Sequence, residues 1–189
     1  MPLPEGLPDA ALILPLSRMA RNGARDVSEL KLREPTLGEV YEAEGEIQIR
    51  TDPEARTLYL RKLVAGVTGL PGDLLDEVLL ADLRAAHQHL ARFIDAGLEE
   101  VENPDENWTI PLDAAIEHAG ASHCEIALQA PTTGQVRRAQ GQLRKGVGPQ
   151  SLRSQQIWLI SHVSGVPYEV VKRLPVSTGN AAMSYLAGF

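Results

Sequence analysis

Cys124-Glu125-Ile126-Ala127-Leu128-Gln129-Ala130-Pro131-Thr132-Thr133-Gly134-Gln135-Val136 repeats, without insertion or deletion, the pattern of Ser28-Glu29-Leu30-Lys31-Leu32-Arg33-Glu34-Pro35-Thr36-Leu37-Gly38-Glu39-Val40. The interval is 96 residues from Pro35 to Pro131, and it is the same from Pro71 to Pro167 and from Phe93 to Phe189. Aligned at that spacing, Leu12–Phe93 and Trp108–Phe189 share 20 identities in 82 positions. A repeat of this kind has to be read first, because it redefines both domain and motif. Positions kept in both copies report what the module needs, and positions that differ report where the copies diverge.

In each copy the alternating run (Leu30, Leu32; Ile126, Leu128) predicts a half-buried strand. A preceding apolar stretch, Leu12–Leu16 or Trp108–Leu112, pairs with it as a β-hairpin, and its internal proline suits an edge. A polar turn at residues 18–25 joins the two strands of the first hairpin. Pro-Thr-x-Gly then ends the hairpin and starts a short helix over 36–45 and 132–141, with Thr36 and Thr132 as N-caps. Asp52-Pro53 and Gly148-Pro149 open the next helix. Gly69 and Gly165 close it, with Pro71 and Pro167 beyond. A last amphipathic helix spans about 79–96, and its twin about 178–189. The expected class is α+β, two tandem modules of a β-hairpin followed by about three helices. The modules cover 1–97 and 108–189, and an acidic, proline-marked linker, 98–107, joins them.

Composition narrows the function. No apolar run is long enough to cross a bilayer, and Met1–Asp9 lacks the pattern of a signal peptide, so a soluble protein is expected. The single cysteine, Cys124, rules out an internal disulfide and fits a reducing compartment. Net charge is −7, but residues 1–107 hold 11 Lys+Arg against 21 Asp+Glu, while 108–189 hold 7 against 4. Matched positions reverse sign: Glu42 against Arg138, Asp76 against Lys172, Glu77 against Arg173. Opposed fields of this kind favour docking between the modules or steer them to different partners.

Catalytic motifs do not emerge. His87 and His89 stand two apart on a helix and face different ways. His123 and Cys124 alternate across a strand with no C-x-x-C or H-x-x-x-H partner, which reads as a surface histidine beside a packed cysteine. The acidic set Asp73, Asp76, Glu77 and Asp82 becomes Glu169, Lys172, Arg173 and Thr178 in the second copy, so the module does not need it. Lys145-Gly146-Val147-Gly148 lacks the phosphate-loop pattern, and no G-x-S-x-G is present. No enzyme, cofactor or metal is expected. The segment Gln156–Val163, Gly165, Tyr168–Leu174 has a helix-turn-helix outline, but only Lys172 and Arg173 could read bases, and the first copy places acids there.

The ordered motifs Leu30–Val40, Val67-Thr68-Gly69-Leu70-Pro71 and Ala91-Arg92-Phe93-Ile94, echoed by Ala130–Val136 and Val163-Ser164-Gly165-Val166-Pro167, resemble the tail assembly chaperones of Mu-like tailed phages. That resemblance implies a small non-enzymatic protein of the host cytoplasm. Such a protein binds the helical tape-measure protein and keeps it soluble until tail-tube protein polymerises around it. Carrying two modules is a departure from the usual single one. The apolar stripes Leu60, Leu63, Val67, Leu83, Leu90, Phe93, Leu159 and Val163 are candidate partner-binding faces, and equally describe core faces. Glu42, Asp76, Glu77, Arg138, Lys172 and Arg173 are candidates for charge docking between modules. Self-association is open; neither membrane nor nucleic acid is an expected partner. Two alternatives remain, a phage or prophage DNA-binding regulator and a structural component of the virion.

Overall fold

The computed structural model describes residues 11–23, 25–99, 101 and 104–189. Residues 1–10 of the expected first module, residue 24 of its expected turn, and 100, 102 and 103 of the linker lie outside them.

Each copy opens with an antiparallel two-stranded hairpin: β1 (Ala11–Asn22) with β2 (Arg25–Arg33), and β3 (Asn107–His118) with β4 (Ala121–Gln129). The pairs Leu12↔Leu32 and Leu14↔Leu30 recur as Trp108↔Leu128 and Ile110↔Ile126, so the apolar face is the same in both. The strands run further than alternation suggests: within the expected turn over 18–25, residues 18–22 and 25 are strand and Gly23 is a turn residue. Both registers shift, between Pro15 and Ala20 and between Pro111 and Ile116. The shift follows a proline that cannot donate to the ladder, and it carries the chain past the point where alternation ends.

The second hairpin turns at Ala119 (φ 49°) and Gly120 (φ 81°). Both positions are left-handed, as a two-residue turn between right-twisted strands requires. Ala119 therefore bears a Cβ in a region that penalises it, and Ala119→Asn is expected to raise stability by about 1 kcal/mol, read as a higher urea midpoint at unchanged slope.

After the hairpin comes α1 (Leu37–Glu44) or α5 (Thr133–Gln140), each capped reciprocally. The Thr36 hydroxyl accepts from Glu39 N–H, and the Glu39 carboxylate accepts from Thr36 N–H; Thr132 and Gln135 repeat the exchange. Short 3-10 turns follow at Gly45–Ile47 and Gly141–Lys145. Next are α2 (Pro53–Thr68) and α6 (Pro149–Ser164), ended by Gly69 (φ 68°) and Gly165 (φ 73°). The structure adds a four-residue helix to each copy, α3 (Gly72–Leu75) and α7 (Tyr168–Val171), too short to leave a periodic signal. The copies end with α4 (Leu80–Ile94) and α8 (Val176–Ala187). The α+β class and the repeated hairpin-then-helices module stand, with four α-helices per copy among the described residues where about three were expected.

Buried apolar side chains from both copies, from Leu30 and Leu63 to Ile160 and Leu186, form one continuous core. No helix among the described residues is long and apolar enough to cross a membrane.

Candidate functional site: the seam between the repeats

A helix start leaves N–H groups without intrahelical partners. At α1 the second repeat supplies them. Leu37 N–H donates to Leu174 O (2.9 Å) and Gly38 N–H to Lys172 O (2.7 Å), while Val176 N–H donates back to Pro35 O (2.9 Å). Thr36 and Pro175 pair as an isolated antiparallel bridge. The approach needs glycine twice. A Cβ on Gly38 would stand 2.9 Å from Lys172 O, and a Cβ on Gly179 would collide with the Leu37 methyls. Leu37, fully buried, thus fills the gap that Gly179 leaves in α8.

Polar contacts flank this apolar centre. Glu34 Oε1 accepts from the Ser177 N–H (2.9 Å) and hydroxyl (2.5 Å). Deeper, Arg153 of α6 donates to Glu44 of α1 (3.0 Å), to Gln156 Oε1 (2.8 Å) and to Asn180 Oδ1 (3.0 Å). Asn180 in turn donates to the carbonyls of Ile94 (2.7 Å) and Ala96 (2.9 Å), satisfying the C-terminal end of α4. Glu44 is 8% exposed, and burial pushes its carboxyl above the ordinary glutamate value, with Arg153 opposing that rise. Tyr185 Oη donates to Asp105 O (2.6 Å) and Ser184 Oγ to Gly97 O (2.9 Å), tying the connector to α8. On the solvent side, Thr36, Glu39, Glu42, Lys62, Glu169 and Lys172 line an open cleft of about 450 Å³ with charges of both signs.

The seam is one-sided. Helix α1 packs on α6 and α8 of the other repeat, whereas its twin α5 packs on α6 of its own. Thr133, Gly134, Arg137 and Arg138 face solvent where Leu37 and Gly38 are covered.

Of the six charge-docking candidates, the structure brings Glu42 and Lys172 together across the seam (3.7 Å), with Lys172 also over the Tyr41 ring (5.7 Å). Asp76 pairs with Arg61 of its own repeat (2.9 Å), Arg173 donates to Glu117 O (2.9 Å), and Glu77 and Arg138 are exposed. The partner-binding stripes lie inside. Leu63, Val67, Leu83, Leu90, Phe93, Leu159 and Val163 are at most 5% exposed, and Leu60 is half-buried. In this form they are core, because the hairpins and final helices close over the stripes. A partner could reach them only by displacing those elements.

The sequence reading of His123 and Cys124 is reversed: Cys124 is exposed, and His123 is half-buried with Nε2 shut from water. His87 meets the edge of Tyr59 and His89 that of Phe93, and burial lowers the pKa of both. Among the described residues no three His, Cys, Asp or Glu side chains are grouped to hold a metal ion. The helix that would read a groove, α7, is only four residues long, and Lys172 and Arg173 beside it are engaged by Glu42 and Glu117.

Sequence reasoning missed Glu34, Glu44, Arg153, Gln156, Ser177 and Asn180. A signal existed for Gln156, a glutamine on an apolar stripe at the position where the other copy has Leu60.

The comparison with curated proteins found no match, and neither did the comparison with solved structures. A family model described as "phage tail assembly chaperone proteins, E, or 41 or 14" matches twice, over residues 15–95 and 109–189. The two matches fall on the two hairpin-and-helix repeats and span most of the sequence, and the chain belongs to the phage tail assembly chaperone family.

Proposed function

We propose that the chain is a non-enzymatic chaperone that holds a tape-measure protein in soluble form in the host cytoplasm until the tail tube assembles around it. The family match over both repeats carries this reading. Its surface offers material for such a client. Ile49 is 89% exposed, Val147 74% and Leu152 50%, and all three adjoin the contact of Gln48 with Ser151 and Gly148. Isolated exposed apolar residues are ordinary, but three around one contact make a patch onto which a helical client can lay its apolar face. The buried stripes, by contrast, serve the chaperone's own core.

Co-expression with a tape-measure protein from the same phage tests the reading. The client is expected in the soluble fraction and in complex with the chain, and Ile49→Asp/Val147→Asp is expected to return it to the pellet while leaving the chaperone folded by circular dichroism. A client equally soluble and unbound without the chain would refute the proposal.

A further inference from the structure

The patch that Ile49, Val147 and Leu152 form belongs to neither repeat alone. In the first repeat Asp52 caps α2, its carboxylate accepting from Ala55 N–H (3.0 Å). The matched residue of the second repeat is Gly148, which has no side chain with which to cap α6. Gln48 of the first repeat takes over that task. Its Oε1 accepts from Ser151 N–H (3.2 Å), and its Nε2 donates to Ser151 Oγ (3.2 Å). Glycine is needed for this approach, because a Cβ on Gly148 would stand 2.6 Å from Gln48 O. A cap supplied across the seam thereby sets Ile49 beside Val147. The positions matched to the patch are polar: Ile49 corresponds to Lys145, Val147 to Thr51 and Leu152 to Arg56. The apolar surface therefore arises only where the two repeats meet.

Its surroundings carry a sign opposite to the rest of the chain. Glu46 is held by Lys62 (3.0 Å), Asp52 and Glu54 are both held by Arg50 (2.9 and 2.7 Å), and Glu44 is buried on Arg153. Arg56, at the start of α2, and Arg144, three residues before Val147, are exposed, and neither enters an ion pair among the described residues. Residues 44–56 and 141–156 with Lys62 hold six Lys+Arg against four Asp+Glu, which is +2 in a chain of −7 and leaves −9 for the remainder.

We propose that this patch selects an acidic amphipathic helix, with apolar anchors on Ile49, Val147 and Leu152 and carboxylates directed to Arg56 and Arg144. The inference rests on the chaperone reading and specifies the chemistry of the client segment. Apolar contact supplies affinity for any amphipathic helix. Charge supplies the choice: an acidic helix is repelled by most of this surface and attracted here, whereas a basic helix of equal apolarity is drawn to the acidic remainder.

Two synthetic helical peptides test this, alike in a leucine face and differing only in glutamate or lysine on the polar face. Fluorescence anisotropy reads the binding of each to the full chain. The glutamate peptide is expected to bind about tenfold tighter at low ionic strength, with the margin closing as salt rises. Arg56→Glu/Arg144→Glu should erase the margin, with circular dichroism unchanged because both side chains are exposed. Ile49→Asp and Val147→Asp, one in each repeat, should each weaken the glutamate peptide about tenfold. A lysine peptide bound as tightly, a margin unmoved by the arginine variant, or binding indifferent to either Asp substitution would overturn the proposal. So would a dimer in sedimentation velocity that Ile49→Asp dissolves while peptide binding stays the same, since the patch would then belong to a second copy. Co-expression separates this failure from that of the chaperone reading. A tape-measure protein kept soluble equally well by the parent and by Arg56→Glu/Arg144→Glu overturns the charge preference and leaves the chaperone reading standing. One that the parent never binds sinks the chaperone reading, and the peptides still decide the preference of the patch.

Discussion

Arg153→Met is expected to destabilise the protein by about 3–5 kcal/mol at neutral pH, the largest single effect we foresee. Methionine keeps most of the volume but removes the donor shared by Glu44, Gln156 and Asn180. Glu44 would then be a charge buried without its partner, and removing a partner is far costlier than removing the pair. Glu44→Leu/Arg153→Met should accordingly recover most of the loss, with Gln156 Oε1 accounting for the remainder. The dependence on pH is a second readout. Glu44 already has its folded-state pKa raised by burial, so the stability linked to it is present below the unfolded value and lost as pH rises through the folded one. Without Arg153 that folded value moves higher, so the deficit of Arg153→Met should shrink as pH falls and Glu44 takes up a proton. Urea unfolding at neutral and acid pH measures both. An equal deficit in the single and double variants, or one independent of pH, would mean the network is not the source.

Gly179→Leu, which copies the matched residue Leu83 of the first repeat, is expected to cost about 3 kcal/mol. Glycine is a poor helix former, and in an exposed α8 the change would stabilise by about 1 kcal/mol. Here the Leu37 methyls occupy the space that even a Cβ would take. Leu37→Thr, copying Thr133, should make room and restore part of the loss, although each substitution alone destabilises. Thermal unfolding of the two single variants and the double variant yields the coupling. Strictly additive effects would show that the two side chains do not share the site.

The parts of the fold set by local chemistry were readable from the chain. Thr36 and Thr132 cap because a hydroxyl three residues before a Glu or Gln at a helix start satisfies orphan N–H groups, and Gly69 and Gly165 sit where φ is positive. Helices α3 and α7 were not readable, because four residues give no periodicity. The seam was hidden for a different reason. Charge reversal between copies pointed to Glu42 and Lys172, but it cannot say whether Asp76 meets Lys172 or Arg61. The buried network of Arg153 and Asn180 has no sequence pattern at all, since its members come from α1, α6 and α8 and meet only after packing. Core stripes and partner stripes look alike in sequence; what separates them is whether a hairpin closes over the stripe.

Placing Leu37 against Gly179 joins residues 142 positions apart, and this imposes an order in time. A ribosome adding about 5–20 residues each second would leave the Leu37 side chain and the α1 N–H groups uncovered for roughly 7–30 s after their synthesis. During that interval the first repeat resembles a lone module with its seam face bare. Translation to the last helix then conceals it, so any nascent or prematurely terminated chain advertises a sticky surface that the finished protein withdraws.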